Sequence, residues 1–424
     1  MTHTSLEQSI FEELCSIPTI DAHEHLPPEE SRLKEPRDFY SLFQHYCEAD
    51  LIACGAAKAD MEAFADRTLP LAERWGRFSP FLSKIRTGSY ARSALIVVRD
   101  LLGLPDLTDD TYETVTSRLQ EINKPGLYDH ILRDQCNIVA CIQCWWLGSG
   151  PYPDSFYHLA PSADVVDLAT RQALDVLSAR CDHSIHSLSD LLACMTEMVE
   201  RWRANPKVVG VKSVHAYWRS LAFQRVTAHE AELVFGRILT HEGHALSAHE
   251  LIPLQDFLMF ELMARAEAVH LPMVFHTGLQ AGNANRIANA NPLLLQPLLE
   301  EFPQSRIDLF HGGMPWVREI AVLAKYFPGV HLNMAWMHII SPAQARSALS
   351  EWLDMVPNNK IFGFGGDYAI VEKVYGHLKL ARQNIAAVLA ERVETGAMSR
   401  SEASLVARRL MFDNPRDFYL PMGL

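Results

Sequence analysis

Long apolar runs are missing from this sequence. No stretch approaches the roughly 18 consecutive apolar residues of a membrane-spanning helix. The opening MTHTSLEQSIFEELCSIP lacks the basic start and unbroken apolar core of a secretory leader. Cationic side chains are also scarce: Lys and Arg total 38 against 51 Asp and Glu, a formal charge of −13. A surface that acidic repels phosphate backbones. The expectation is a cytoplasmic protein with neither membrane nor nucleic acid as partner. Cysteine is too sparse for a disulfide scaffold, with eight scattered over 424 residues. The one local pair, Cys141 and Cys144 in NIVACIQCWW, falls in what reads as a buried strand. Residues three apart on a strand point to opposite faces, so the pair reads as small core residues rather than a redox or zinc motif. Low-complexity tracts, short repeats and Gly/Ser linkers are absent too, so composition marks no domain boundary.

What is present is an alternation. The chain is 48% hydrophobic and 21% charged, enough to bury a large core. Short β-branched apolar segments alternate with longer segments of helical period, which argues for a parallel sheet. The candidate strands are 17–22, 137–143, 156–160, 207–213, 271–276, 306–311, 329–334 and 360–366, and the candidate helices between them include 188–205, 253–270, 291–303 and 316–328. Eight strands with intervening helices predict an α/β fold, a (β/α)8 TIM barrel, which needs about 250 residues. The surplus lies mostly at 27–130, a helical stretch too long for one crossover. The expected organisation is a single domain over 1–424, with 27–130 as a helical cap inserted after strand one.

Catalytic groups of such barrels sit at the C-terminal ends of the strands. Strand one ends in His23-Glu24-His25, strand four in Lys212, strand five in His276, strand six in His311 and strand eight in Asp367. Histidines one apart on an extended chain project to the same side, so His23 and His25 can share an ion while Glu24 points away. A mixture of imidazole and carboxylate suits Zn²⁺ first, with Mn²⁺, Fe²⁺ or Co²⁺ as alternatives. The richer-looking HEGHALSAHE at 241–250 does not make a His-Glu-x-x-His motif and reads as a solvated helix and loop. After strand four, Tyr217, Trp218 and Arg219 are candidate substrate contacts; Arg86 and Arg92 from the cap, and Trp336 and His338 after strand seven, are others.

In order along the chain, IDAHEHL, VKSVHAYW, PMVFHTG, LFHGG and FGGD resemble the amidohydrolase superfamily, specifically its amidohydrolase-2 branch. The long helical segment after strand one and DNPRDFY at 413–419 also resemble uronate isomerases. The resemblance implies that His23, His25, His276 and Asp367 hold a catalytic metal, and that His311 binds a second ion or polarises the substrate. Lys212 stands where two-metal members carry a carbamylated lysine; its other readings are an ammonium that binds a substrate carboxylate or one that faces solvent. One or two divalent ions are therefore expected. A Zn²⁺ ion brings the pKa of its water towards roughly 7, with Asp367 as proton acceptor and His311 stabilising the developing oxyanion. The activity these expectations favour is a metal-dependent hydrolase cleaving an amide, ester or lactone bond in a small polar substrate, with or without a carboxylate, from a homo-oligomeric protein. The alternatives are a uronate-isomerase-like sugar-acid isomerase or a decarboxylase on the same scaffold, and a barrel that binds without catalysing.

Overall fold

The computed structural model describes residues 5–144, 150–240 and 246–420. Its centre is one sheet of eight strands, β1 (Thr19–Glu24), β2 (Ile138–Cys144), β3 (Phe156–Pro161), β4 (Val208–Ser213), β5 (Met273–Phe275), β6 (Ile307–Leu309), β7 (Val330–Asn333) and β8 (Ile361–Phe362). They lie side by side in chain order, and every neighbouring pair is parallel. The segment after β8 closes the ring onto β1: Ala22 donates to the Phe364 carbonyl at 3.2 Å, and Asp367 N–H donates to the His23 carbonyl at 2.8 Å. All eight predicted strands are present. The ladders of β5, β6 and β8 are shorter than their apolar runs, because each chain leaves the sheet to deliver the residues of the strand end.

Two apolar faces follow from strand alternation. One points inward, where Ile20, Ala22, Ala140, Ile142, Leu159 and Val274 form the barrel interior. The other points outward against the helices, from Ile138, Phe156, Val211, Met273, Ile307 and Leu332 among others. Cys141 joins that outer layer, and Cys144, three residues on, is also buried as a free thiol. The N-terminal end of the barrel is plugged by the helix Asn414–Tyr419, whose Phe418 lies 5.2 Å from the Phe362 ring and 4.7 Å from His331.

The helices follow their caps. Ser187 and Asp190 cap the helix Leu188–Ala204 reciprocally. A second reciprocal cap, Ser247 with Glu250, starts the helix Ala248–Ala268 five residues before the apolar period suggested. Residues 241–245 lie outside the described residues. The predicted helix at 291–303 is instead a short 3-10 turn, Pro292–Leu295, followed by a helix Gln296–Glu301; prolines at 292 and 297 take donors out of the helical ladder. Among the described residues no helix is long and apolar enough to cross a membrane.

Between β1 and β2 the chain is mainly helical, including Tyr46–Ala53, Leu71–Ile85 and Ser89–Ile96. These helices surround their own apolar cluster, with Phe39, Phe43, Phe64, Trp75 and Phe78 at its centre. They are fastened to the segment after β8. Arg32 and Glu372 make a buried ion pair, and Ser93 and Tyr368 share a hydrogen bond of 2.9 Å. Helix Ser89–Ile96 comes so close to helix Val371–Glu394 that a Cβ on Gly376 would lie 2.1 Å from the Ser93 carbonyl.

Candidate metal centre

β1 carries three acidic or imidazole side chains into a fully buried position before it reaches His25. Asp21 accepts from His23 N–H at 3.2 Å and from Gly366 N–H at 2.9 Å, and Glu24 accepts from Tyr368 N–H at 2.8 Å. Burial pushes the Asp21 carboxyl up to about 6 and holds Glu24 well above the usual carboxylate range. These two carboxyls grip the backbone on either side of Asp367, which sits at φ 57°. Gly366 is required by that grip: a Cβ there would lie 1.8 Å from Glu24 Oε1.

Asp367 is the point of convergence. His23 Nε2 lies 3.3 Å and His25 Nε2 3.2 Å from its Oδ1, and His311 Nδ1 lies 3.7 Å from its Oδ2. The ligand atoms of His23, His25 and Asp367 all fall within 4.8 Å of one another. Burial alone would raise the Asp367 carboxyl, but His23, His25 and His311 outweigh it and hold it well below the usual carboxylate range. Burial brings His23 down to about 3 and, with the neighbouring His276, holds His311 well below its ordinary value, so these two imidazoles are neutral, as metal ligands must be.

His276 and His311 stand beside them. His276 Nε2 faces the Leu279 carbonyl at 2.9 Å, and His311 Nδ1 faces the Ala335 carbonyl at 3.1 Å. A carbonyl can only accept, so each of these nitrogens carries its proton. The two remaining nitrogens, His276 Nδ1 and His311 Nε2, then point lone pairs at each other across 3.1 Å. Imidazoles whose outer nitrogens are held by carbonyls and whose inner lone pairs converge are oriented as metal-binding histidines are. The donor set therefore fits a divalent ion held by His23, His25 and Asp367, with His276 and His311 adjoining.

Lys212 reaches the same floor. Its side chain is buried, with Nζ 3.3 Å above the centre of the Phe310 ring and no hydrogen-bond partner. Burial pulls its ammonium down to about 8. A cavity of about 500 Å³ opens above these groups.

The cap supplies two wall residues that sequence spacing did not reveal. His45, at φ 68°, and Tyr46 line the cavity. Tyr46 hydrogen-bonds Asp367 and stacks on Trp336 at 4.3 Å and 25°. Their only sequence signal was a polar HY pair within the long insertion.

The proposed substrate contacts divide. Tyr217 and Trp218 line the cavity. Arg219, expected to grip a carboxylate, does not: it is buried, with donors going to Asp256 at 2.5 Å, Gln255 at 3.2 Å and the Ser220 carbonyl at 3.0 Å. Its guanidinium lies over Phe223. Arg86 is corrected as well; it pairs with Asp106 at 2.5 Å on a separate surface hollow of the cap. Arg92 is exposed on the helix Ser89–Ile96. His338 is fully buried away from the cavity, bonded to the Gly363 carbonyl at 2.9 Å and to Asn384. Trp336 does not line the cavity; it is buried behind two residues that do, Tyr46, on which it stacks, and His311, edge-on at 5.3 Å.

An eight-stranded parallel barrel with a buried histidine–carboxylate group at its C-terminal mouth defines a metal-dependent enzyme. A family model described as Amidohydrolase matches residues 195–419, just over half of the chain, and the chain belongs to that family. Among solved structures, uronate isomerase from Thermotoga maritima is similar over 99% of this chain and 98% of its own, with a TM-score of 0.80 at 16% identity. Glucuronate isomerase from Caulobacter crescentus covers 98% of this chain and 94% of its own, at TM-score 0.79 and 16% identity. A putative metal-dependent hydrolase from Lactobacillus casei covers 97% and 98%, at TM-score 0.66 and 16% identity. At such identities the likeness is one of fold. Protein fluG from Emericella nidulans is 26% identical over 225 residues, 51% of this chain; the match spans 26% of that protein's length.

Proposed function

We propose that the protein is a hydrolase that cleaves an amide, ester or lactone bond of a small molecule, using one or two divalent ions, Zn²⁺ first among them. The observation that carries this reading is the single carboxylate, Asp367, on which His23, His25, His311 and Tyr46 converge at the cavity floor. A bound Zn²⁺ supplies a water acidified to near neutral pH. Asp367, kept ionised by its imidazole neighbours, accepts the proton of the attacking water and passes it to the departing nitrogen or oxygen. Tyr46 holds the carboxylate in register for both transfers. His311, whose inner nitrogen carries its lone pair beside that of His276, would be a ligand for a second ion. A carbamate on the partnerless amine of Lys212 would turn a repulsive neighbour into an anionic ligand.

The second reading is a sugar-acid isomerase, favoured by full-length likeness in fold, cap included, to proteins of that name. It needs a cationic anchor for a carboxylate, and Arg219 is consumed by Asp256. Metal analysis of the purified protein, followed by a screen of N-acyl compounds, esters, lactones and uronates, separates the two. The hydrolase reading expects stoichiometric metal that is lost from a His23→Ala/His25→Ala double variant, with turnover of acyl compounds. Interconversion of uronates without any hydrolysis would overturn it.

A further inference from the structure

The walls of the cavity differ from its floor. Above the imidazoles stand Tyr217 and Trp218, 36% and 44% exposed, two of the nine large hydrophobic side chains left open among the described residues. An indole left that open at the mouth of a catalytic cavity is surface kept for a ligand.

The Tyr217 ring is fixed in place, and the Trp218 ring rests 5.5 Å from the His215 ring. Tyr217 accepts from Ala281 N–H at 3.0 Å and packs 4.7 Å from the His276 ring. The turn beneath them is tied at two points: Ser213 Oγ to His215 Nδ1 at 2.8 Å, and the backbone N–H of Trp218 to the His215 carbonyl at 3.0 Å. The next residue is the fully engaged Arg219. A platform fixed in advance loses little freedom when a ligand stacks on it.

The cavity's charge points the same way. Lys212 is its one lysine or arginine among the described residues, and it lies on the floor against Phe310. The undescribed positions 1–4, 145–149, 241–245 and 421–424 contain neither Arg nor Lys, so no guanidinium comes from them. A carboxylate at the mouth would leave water for aromatic walls with no cation to receive it, and that is costly.

We propose that the substrate is uncharged and carries a planar aromatic ring, seated against Trp218 and Tyr217, with its scissile carbonyl directed down to His23, His25 and Asp367. This assignment rests on the hydrolytic reading for the bond cleaved, but not for the ring site. Of the substrates left open by the sequence, it selects one without a carboxylate.

Two probes that share a metal-binding headgroup isolate the ring. Benzohydroxamate and the monohydroxamate of succinate are titrated calorimetrically into the zinc-loaded protein, its Trp218→Ala variant and its Trp218→Phe variant. The aromatic probe is expected to bind about tenfold tighter than the carboxylated one, and to lose about that factor in Trp218→Ala and regain most of it in Trp218→Phe. The carboxylated probe should be unaffected by either change. Equal or tighter binding of the succinate probe, or an equal loss of both in Trp218→Ala, overturns the proposal. A parallel screen of acetanilide-type and succinyl amides separates the two readings. If no amide, ester or lactone is cleaved while the Trp218 effect stands, the hydrolytic reading falls and the ring site survives; if only carboxylated amides are cleaved, the ring site falls and hydrolysis survives.

Discussion

At the C-terminal end of the barrel, β1, β4, β5, β6 and the segment after β8 deliver histidines, a lysine and carboxylates, several with buried polar atoms that no neighbour satisfies, such as His23 Nδ1 and Lys212 Nζ. At the N-terminal end, Phe418, Tyr419 and Leu420 fill the space with apolar surface. One end stores unpaired polarity, which is costly unless a ligand answers it; the other supplies mainly packing, with the buried Asp308 bonded to Tyr419 of the plug. The contrast places catalysis and stability at opposite ends of the same eight strands.

Replacement of Asp367 by Asn is expected to have the largest effect on function. Turnover should fall by about 10²- to 10⁴-fold, the usual worth of a positioned proton acceptor, with chemical denaturation showing a fold at least as stable as before. Phe418→Ala is its converse. It should cost about 3–5 kcal/mol in denaturant unfolding, as large-to-small changes in cores do, while metal content and turnover per folded molecule stay at wild-type values. Loss of metal in Phe418→Ala would break the contrast. Tyr46→Phe removes one hydrogen bond to a charged group, and about a tenfold fall in kcat with little change in KM is expected.

Asp308 sharpens the comparison between the two ends, since it lies below the metal ligands, accepting from Asn333 at 2.8 Å and from Tyr419 of the plug. Burial pushes its carboxyl up to about 7. The folded state therefore binds a proton that the unfolded state, near 3.8, has released. Stability should fall as pH rises from about 4 towards 7, and an Asp308→Asn variant should lose that slope in denaturation curves taken across the range. The smallest effect belongs to Arg86→Ala: its half-exposed pair with Asp106 is worth less than about 1 kcal/mol, and KM should not change.

The barrel was legible because each strand is an apolar run ending in a polar residue, and strand ends converge in this architecture whatever lies between them. His23, His25, His276, His311 and Asp367 could be picked from 19 histidines and 51 acids by that rule. The rule does not reach residues that arrive from an insertion, so His45 and Tyr46 were missed. Nor does it tell a free cation from a paired one. Arg219 sits next to Trp218 in sequence, yet its charge is spent on Asp256, thirty-seven positions away. Glu24 alternates away from the two histidines as expected, and there it is buried and anchors the Tyr368 backbone.

The plug also orders events during synthesis. β1 is made early, whereas its neighbour across the seam, the segment after β8, and the helix Asn414–Tyr419 that fills the interior come near the end of the described chain. Contacts so distant in sequence form slowly, and until they form, Ile20, Ala22 and Phe362 lack their partners. A nascent barrel on the ribosome is thus an open sheet with an unpaired edge and an unfilled centre, the state in which such chains aggregate or call on chaperones.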